Sequence, residues 1–491
     1  MIFCPSGFAS FRGEERPRID GVKTFDVTVI GGGSAGYAAA RTAAAAGAKT
    51  AVIEGGEAVG GLCILRGCMP TKALLESAHR WREITEADRF GLRVKPIRPD
   101  LPAILARKDA LIADFAGYRV TQLERGKFAF LRGQARFLGP HRLEIAWKGK
   151  TEIVASKTFI LATGSEIQRL DLPGLAETGF LTSDTALTHS VLPRSLIVLG
   201  GGAIAVEFAQ FYAALGTKVT ILQRSGHLVK EFDPEVSEEL EKSFRKRGIT
   251  VVTGTRLERV RRSGKTKEVV FTHEGKTTSA RAEEILYALG RRPRLAGLDL
   301  PAAGVPVREG RVRFDAALRS RAPHIFGAGD VAGPHEVVHI AIQQGEIAAR
   351  NAVAVARGKR TRPERIDYRL KAMVVFTDPE IAMVGLTESE ARERKLEVVS
   401  AQYRFDDHGK SLIRGALDGF VKLVADRRGR IVGAQIIGPR ASDLIHELIA
   451  VIHYRGTAAE LAAMPHYHPT LAEIVTYPAE EIAELLKKAR R

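Results

Sequence analysis

The chain contains few cysteines. Only Cys4, Cys63 and Cys68 occur among its 491 residues, which excludes a secreted scaffold held together by disulfide bonds. Three sulfurs also cannot form a four-sulfur zinc site. Such sparing use of cysteine is typical of a reducing compartment, so we expect a cytoplasmic protein.

Long apolar runs are also missing. The longest, such as residues 195–199, have the length of a strand and are far shorter than the roughly 20 residues of a membrane-spanning helix. No membrane span is therefore predicted. Residues 1–22 mix arginines with acidic residues and have no apolar segment, which does not fit a signal peptide; we interpret them as a short N-terminal extension.

Basic residues dominate the charge of the chain. It has 74 lysines and arginines against 57 acidic residues, which gives a formal net charge of +17. Such a charge could attract nucleic acid, a membrane surface or anionic ligands. The basic residues are scattered, and the densest clusters, at 259–262 and 358–362, are interpreted as solvated loops or strand edges. A nucleic-acid partner is therefore not expected. The composition, with 45% hydrophobic residues and 48 glycines, fits a globular α/β protein of several domains.

A nucleotide-binding fingerprint lies near the N-terminus. An apolar, β-branched run at residues 24–30 meets a glycine-rich turn at 31–36, and an alanine-rich helix is predicted at 37–46. In such a unit Gly31 permits the tight turn, Gly33 lets a pyrophosphate approach the helix, and Gly36 lets helix and strand pack closely. The following strand ends in Glu54, which is placed to accept a hydrogen bond from an unphosphorylated ribose. This pattern fits FAD.

The same pattern returns at residues 195–222. A strand at 195–199 precedes the turn at 200–205, in which Ala205 replaces the third glycine, and a strand at 218–222 follows the helix. A second nucleotide is therefore expected. The second strand ends in Gln223 and Arg224 without a carboxylate, so Arg224 and Lys230 are available to bind a ribose 2′-phosphate. NADPH is the preferred cofactor, and NADH is the alternative if Arg224 is only a solvated turn residue.

Two of the three cysteines stand close together beyond the first fingerprint. On a regular helix, positions five apart have Cα atoms about 8.6 Å from each other, beyond the roughly 7 Å that a disulfide can bridge. A Cys63–Cys68 disulfide therefore requires a distorted turn, which Gly67 and Pro70 suit. Such a bridge is readily reduced. The alternatives are a zinc site or two unrelated buried cysteines.

These motifs together resemble those of the FAD-dependent pyridine nucleotide-disulphide oxidoreductases, the family of dihydrolipoyl dehydrogenase, glutathione reductase and mercuric ion reductase. The resemblance runs from about Phe25 to the end of the chain. It includes further segments at residues 162–165, 288–293, 327–330, 376–385 and 466–473.

The resemblance implies an α/β fold with two Rossmann-like nucleotide-binding domains, for FAD and NAD(P), and a C-terminal α+β dimerisation domain. After the extension at 1–22, the first part of the FAD domain would occupy 23–165 and the NAD(P) domain 166–290. The central part at 291–364 would complete the FAD domain, and the interface domain would occupy 365–491.

A path for electrons is also implied. Hydride passes between nicotinamide and flavin, the flavin exchanges two electrons with a Cys63–Cys68 disulfide, and the thiol pair exchanges with the substrate. By the resemblance, Cys68 corresponds to the thiol against the flavin and Cys63 to the outer thiol that attacks the substrate.

Two further pairs correspond to functional residues of the family. His468 corresponds to the base and Glu473 to the carboxylate that holds its imidazole, in active sites shared between the two subunits of a homodimer; the alternative is that His466 and His468 are ordinary surface histidines. Lys72 corresponds to a lysine near flavin N5, and Glu207 to its partner. The implied FAD site comprises Gly31, Gly33, Ser34, Ala35, Gly36, Glu54, Gly61, Lys72, Ala162, Thr163, Gly164, Gly329 and Asp330, and the NAD(P) site comprises Gly200, Gly202, Ala203, Ile204, Glu207, Arg224, Lys230 and Gly290.

The choice among family members favours dihydrolipoyl dehydrogenase. Thr71-Lys72 and the segment 339–341 resemble that enzyme, and the last residues lack the cysteine pair of mercuric ion reductases. Arg224, Arg294 and the ending at 474–481 depart from it. The expected substrate is dihydrolipoamide or lipoamide, including a lipoyl group on a carrier protein. A glutathione-reductase-like or mercuric-reductase-like NADPH-dependent enzyme, or a redox sensor that uses the flavin and thiols, remains an alternative.

Overall fold

The computed structural model of the chain describes residues 22–95 and 97–489. The expected extension at 1–22, apart from its last residue, and Cys4 lie outside the described residues. Among the described residues, no helix combines the length and apolar character needed to cross a membrane.

Strands and helices are numbered along the chain. The strands are β1 Lys23–Ile30, β2 Thr50–Glu54, β3 Ala129–Arg132, β4 Gln134–Gly139, β5 Arg142–Trp147, β6 Lys150–Leu161, β7 Ser165–Ile167, β8 Leu181–Thr182, β9 Ser195–Leu199, β10 Lys218–Leu222, β11 Thr250–Val252, β12 Arg256–Ser263, β13 Thr266–His273, β14 Lys276–Ala282, β15 Glu284–Tyr287, β16 Arg291–Pro293, β17 Ile325–Gly327, β18 Ala372–Val375, β19 Glu380–Gly385, β20 Val398–Arg404, β21 Phe420–Asp426 and β22 Ile431–Gly438. The α-helices are α1 Ser34–Ala45, α2 Gly61–Arg66, α3 Cys68–Thr85, α4 Leu101–Glu124, α5 Leu175–Thr178, α6 Ser183–Ala186, α7 Ala203–Ala214, α8 Pro234–Lys246, α9 Val338–Ala356, α10 Glu388–Glu393, α11 Gly409–Arg414, α12 Ala441–His453, α13 Ala458–Ala463 and α14 Thr476–Ala489. Short 3₁₀ helices are Ala87–Phe90, Leu300–Ala303, Tyr368–Leu370, Phe405–Asp407 and Ala472–Val475.

The first sheet combines segments from distant parts of the chain. Its strand order is β3-β2-β1-β6-β5-β4, and β17 pairs with β6. β1 runs parallel to β2 and β6, and β17 extends the parallel part from a segment more than 150 residues later. Helix α9, which follows β17, packs on α1. Gly345 permits this contact, because a Cβ there would lie 2.3 Å from the carbonyl oxygen of Ala35.

Helix α1 begins at Ser34, three residues before the helix predicted from the sequence. The reason is that residues 34–36 of the glycine-rich turn form the first helical turn themselves. Gly33 is the N-cap and has no side chain to accept from the free amides of that turn. The glycine-rich segment, which follows β1, therefore leaves the first backbone N–H groups of α1 without a side-chain cap.

The second sheet repeats this arrangement. Its five strands, in the order β11-β10-β9-β15-β8, are parallel. An antiparallel sheet of β12, β13 and β14 is attached to it, and the basic cluster at 259–262 lies in the edge strand β12. The chain leaves the first sheet through β7 and returns through β16, and these two strands pair with each other.

A third, antiparallel sheet forms the C-terminal part, with strand order β18-β19-β22-β21-β20. Helices α12 and α14 cover it through a core that includes Val384, Leu423, Ile436, Leu448 and Ile482. The expected fold class is confirmed: two Rossmann-like units are followed by a C-terminal α+β unit.

A buried carboxylate joins the second unit to the third. Asp233, the N-cap of α8, is 1% exposed. Its oxygens accept from the backbone N–H groups of Glu388 and Ser389 at the start of α10 and from Lys422 Nζ at 3.2 Å. Burial by itself would raise the pKa of Asp233, but the bonds from Ser389 and Lys422 outweigh it and hold the pKa below 3.8. The ionised form therefore stabilises the junction.

Replacing this carboxylate should destabilise the protein. For Asp233→Ala we expect the free energy of unfolding to fall by roughly 3–5 kcal/mol, because Lys422 and two helix N–H groups lose their buried partner. Glu235→Ala is the matched control, since Glu235 also contacts Lys422 at 3.2 Å but is 47% exposed; it should change stability by less than about 1 kcal/mol. Urea unfolding at neutral pH measures both. The Asp233 contribution should disappear as the pH falls below 3.8, through the lowered pKa. Equal effects of the two substitutions would contradict this assignment.

Candidate functional site

The two cysteines lie on either side of a break between helices. Cys63 is in α2, and Cys68 is the first residue of α3. Between them Gly67 leaves the helical conformation, with φ −128° and ψ −116°. A Cβ at Gly67 would lie 3.0 Å from the carbonyl oxygen of Leu62, so the turn favours glycine. Thr71 secures it by donating its hydroxyl to the carbonyl of Gly67 at 2.8 Å. The structure thus contains the distorted turn that the spacing requires.

Both cysteines are free thiols in the structure, and their acidities differ. A hydrogen bond from the thiol of Cys63 lowers the pKa of Cys68 to about 7; burial opposes this shift and the charge of Lys72 assists it. The same hydrogen bond, together with burial, raises the pKa of Cys63. In the reduced pair, therefore, Cys68 carries the thiolate and Cys63 keeps its proton until a base removes it.

Lys72 is one helical turn beyond Cys68 and meets Glu207 of α7. Its Nζ lies 2.8 Å from both carboxylate oxygens of Glu207. The backbone N–H of Phe376 donates to the same carboxylate at 3.0 Å, and the phenyl ring of Phe376 lies 4.8 Å from Nζ. Glu207 is 3% exposed. Through Lys72 and Phe376, this buried carboxylate of the second Rossmann-like unit contacts both α3 and the C-terminal unit.

The glycines of the first fingerprint contact their neighbours closely. A Cβ on Gly31 would lie 2.3 Å from the carbonyl oxygen of Ala162, and one on Gly36 would lie 1.8 Å from that of Gly31. Gly61 brings the cysteine-bearing helix to the same turn, because its Cβ would lie 2.6 Å from Cα of Gly33. The thiol-bearing helix α2 therefore lies directly beside the fingerprint turn, which also includes Ser34 and Ala35.

Polar groups gather around that turn. Glu54, at the end of β2, accepts from the backbone N–H groups of Gly32 at 2.9 Å and Gly56 at 2.7 Å. The hydroxyl of Ser165 donates to Asp330 at 2.6 Å, and Gly329 donates its N–H to Gln344 at 2.8 Å.

The predicted segment at 162–165 also meets Arg294, the residue that follows the predicted segment at 288–293. Thr163 donates its hydroxyl to the carbonyl of Arg294, and the N–H of Arg294 donates to the carbonyl of Gly164 at 3.0 Å. Only the main chain of Arg294 makes these bonds, so its departure from the family residue leaves them intact. Open amides, closely packed glycines and strand-end carboxylates are what a dinucleotide requires, and the residues present fit FAD.

The second fingerprint has the same features. Gly200 has φ +110°, and a Cβ there would lie 2.4 Å from the carbonyl oxygen of Ala288. Gly202, the N-cap of α7, has open space where a Cβ would be, and no side chain caps the helix. The first helical residues are Ala203 and Ile204, and Glu207 follows one turn later. At the exit of the unit, Gly290 has φ +113°, and a Cβ there would lie 4.0 Å from Oε1 of Gln168. These residues fit the pyrophosphate of a nicotinamide nucleotide.

Arg224 and Lys230 lie in the loop that follows β10, and both are exposed. Within the part of the chain that the structure describes, neither side chain makes an ion pair. Their charges are thus available at the end of the strand where a ribose would bind.

The two histidines near the C-terminus have different surroundings. His466 turns inward: its side chain is 9% exposed and its Nε2 lies 2.9 Å from Glu447. His468 faces solvent with a 75% exposed side chain, and its Nδ1 lies 2.9 Å from Glu473 Oε2. Within the described residues of one chain, no hydrogen bond or ion pair connects His468 to the cysteines, as expected if a second subunit supplies it.

One residue of this region was missed by the sequence analysis. His408 lies on the other side of Glu473, with Nε2 3.4 Å from Oε1. No motif marks His408, because it precedes Glu473 by more than 60 residues and only the folded C-terminal unit brings them together.

Similarity to known proteins agrees with this geometry. The family described as pyridine nucleotide-disulphide oxidoreductase matches residues 25–345, and its dimerisation domain matches residues 372–479. Dihydrolipoyl dehydrogenase of Bacillus subtilis (strain 168) is 33% identical over 86% of this chain and 90% of its own length. Mercuric reductase of Bacillus cereus is 33% identical over 90% of this chain and 69% of its own length.

A solved structure has the same fold. The HOCl-induced flavoprotein disulfide reductase RclA from Escherichia coli, in its Cu(II) complex, superposes with a TM-score of 0.81 over 94% of this chain and 100% of that chain, at 24% identity. The family is FAD- and pyridine nucleotide-dependent, and the matching dimerisation domain indicates a homodimer. The chain belongs to the pyridine nucleotide-disulphide oxidoreductases, the family of flavoprotein disulfide reductases.

Proposed function

We propose that the protein passes electrons between NADPH, FAD and a redox-active Cys63–Cys68 disulfide, and from there to lipoamide or a similar small disulfide. The observation that carries this proposal is the position of the thiol pair. The pair lies at a helix break beside the FAD fingerprint, and Lys72 connects it to the helix that begins at the second fingerprint.

We assign one role to each unit of the chain. Residues 23–165 and 291–364 together hold FAD; the addition of β17 to the first sheet and the packing of α9 on α1 support this assignment. Residues 166–290 hold the nicotinamide nucleotide, and the pairing of β7 with β16 supports their insertion as a unit. Residues 365–491 form the dimer interface.

The chain's own residues have distinct tasks toward the cofactors. FAD, when bound, supplies the two-electron relay between the nicotinamide and the disulfide. The turn at 31–36 would hold its pyrophosphate, Glu54 its adenosine ribose and Asp330 its ribityl chain. Lys72, held by Glu207, would supply the positive charge that stabilises the reduced flavin.

Thiol–disulfide exchange then transfers two electrons to the substrate. Cys63 loses its proton and attacks one sulfur of the substrate disulfide, which forms a mixed disulfide and releases the other sulfur as a thiol. The thiolate of Cys68 attacks the sulfur of Cys63, restores the intramolecular bond and releases the second sulfur, which takes its proton from solvent. His468 of the partner subunit, oriented by its Glu473, accepts the proton from Cys63 and returns it to a leaving sulfur.

Relatives of two substrate classes have equal similarity to the chain, so identity alone does not decide the substrate. Thr71-Lys72 after the redox motif and His339 favour lipoamide over glutathione disulfide. A mercuric-reductase-like activity is the second candidate, and the similarity over 90% of this chain supports it.

Steady-state assays of the purified protein should identify the substrate. Lipoamide, glutathione disulfide and mercuric ion are each assayed with NADPH and with NADH. We expect the highest kcat/KM for lipoamide with NADPH. Absence of lipoamide turnover with either nucleotide would reject the substrate assignment but not the thiol chemistry.

Substituting each cysteine should separate their roles. The FAD-bound protein should consume about four electrons per flavin from dithionite, because FAD and the disulfide each take two. Cys63→Ser and Cys68→Ser should each reduce this to about two and lower disulfide turnover by more than about 1,000-fold. A long-wavelength absorbance band, which we assign to the Cys68 thiolate beside the flavin, should persist in Cys63→Ser and vanish in Cys68→Ser. Turnover at full rate by either variant would contradict the mechanism.

Reversal of the charge at Arg224 should change the nucleotide preference. Arg224→Glu should lower kcat/KM for NADPH at least about tenfold relative to NADH, because a charge-assisted bond to the 2′-phosphate is replaced by repulsion. Lys218→Glu, at the exposed opposite end of β10, makes the same charge change as a control and should leave the ratio unchanged. An unaltered NADPH/NADH ratio in Arg224→Glu means that NADPH selection does not depend on this residue.

A further inference from the structure

His408 is a buried histidine beside the proposed catalytic base. It is the N-cap of α11 and is only 1% exposed. Its Nδ1 lies 2.9 Å from the hydroxyl of Ser411, and its Nε2 lies 3.4 Å from Glu473 Oε1. Within the described residues, this Nε2 has no well-aligned hydrogen-bond partner. The nearby carboxylate oxygen is therefore its electrostatic partner.

Glu473 lies between two imidazoles. Its Oε2 faces His468 Nδ1 at 2.9 Å, while its Oε1 accepts from the N–H of Thr470 at 3.2 Å and faces His408. Glu473 is 8% exposed and His408 is 1% exposed, so the contact between these two occurs at low dielectric, where a neighbouring dipole or charge acts strongly.

The remaining neighbours of His408 are aromatic. The ring of Phe405 lies 6.5 Å away and that of Tyr477 lies 6.2 Å away, both edge-on. Tyr403 stacks on Tyr477 at 4.2 Å and donates its hydroxyl to Asp407. The ionisable groups that face His408 are thus Glu473, His468 and these tyrosines, with Asp407 beyond them.

This environment determines the state of His408. Burial lowers its pKa, the charge of Glu473 opposes the shift, and His468 adds to it. At neutral pH His408 is therefore uncharged. The carboxylate of Glu473, 3.4 Å from Nε2, favours the tautomer that carries its proton on Nε2, and in that tautomer the Ser411 hydroxyl donates to Nδ1.

We propose that His408 is a positioning residue for the His468–Glu473 pair. Its Nε2–H faces one oxygen of Glu473 at 3.4 Å and draws negative charge toward that oxygen, so that the other oxygen orients His468 but accepts from it less strongly. His408 thereby lowers the basicity of His468 compared with a simple histidine–glutamate pair. This inference rests on the proposed function, in which His468 is the base.

NMR titration of the His468 imidazole in the FAD-bound homodimer tests the inference directly. The His468 signal is identified by its loss in His468→Gln. In His408→Leu, which removes the donor, the pKa of His468 should rise by about 0.5 to 1 unit. His408→Gln is the matched control, because its amide keeps an N–H near the position of Nε2, and the His468 titration should stay close to that of the native protein. His408→Asn, whose side chain is too short to reach Oε1, replaces the leucine variant if that variant does not fold.

Turnover of lipoamide gives the second measurement. The pH profile of kcat/KM in His408→Leu should shift in the same direction as the NMR titration, and kcat should fall about tenfold because the base is less well oriented. His408→Gln should restore most of the loss. Reduction of the flavin by NADPH, which does not use His468, should be unchanged in both variants.

The outcomes separate this inference from the proposed function. If His408→Leu and His408→Asn leave the His468 titration at its native position, the inference is wrong, even where turnover falls. If His468→Gln reduces lipoamide at the native rate, His468 is not the base and the proposed mechanism fails. The titration still reports in that case whether His408 acts on His468 through Glu473.

Discussion

One buried carboxylate connects the parts of the chain that form the candidate site. Glu207 accepts from the ammonium group of Lys72 and from the backbone N–H of Phe376. A carboxylate that is 3% exposed is stable only when such partners are in place. The helix that follows the thiol pair, the helix of the second nucleotide unit and the C-terminal unit must therefore meet at a single geometry. That geometry keeps the charge of Lys72 next to the thiols.

A second buried carboxylate reinforces this geometry elsewhere. Asp233 joins α8 to α10 and to Lys422 of the C-terminal sheet. The second unit is thus attached to the C-terminal unit by Asp233 and to both other parts by Glu207. Both attachments use buried carboxylates, so sliding of one unit over the other would leave a buried charge without its partner. Polar contacts of this kind restrict the relative positions of the units more strongly than apolar packing does.

Local patterns in the sequence predicted much of this structure. Glycine spacing at 31–36 and 200–205 revealed both nucleotide turns, because only glycine fits where Gly31 and Gly200 approach the next strand. The cysteine spacing predicted the break at Gly67. The glycine-rich pattern predicts a turn up to residue 36, but residues 34–36 form the first turn of α1, so the predicted start of this helix is three residues too late. His408 and the partners of Asp233 could not be predicted, because each depends on a contact between segments that are 60 or more residues apart and carry no motif.

The short pair formed by β7 and β16 has a consequence for the history of the protein. The two ends of residues 166–290 lie side by side. Recombination can therefore exchange this stretch of chain as a cassette without changing the strand order of the first sheet. An incoming cassette must meet two conditions: it must present one acidic side chain to the lysine that follows the reactive sulfurs and another to Lys422 of the C-terminal sheet. Under the proposed function, the nucleotide that donates electrons can thereby change over evolution while the thiol pair is inherited unaltered.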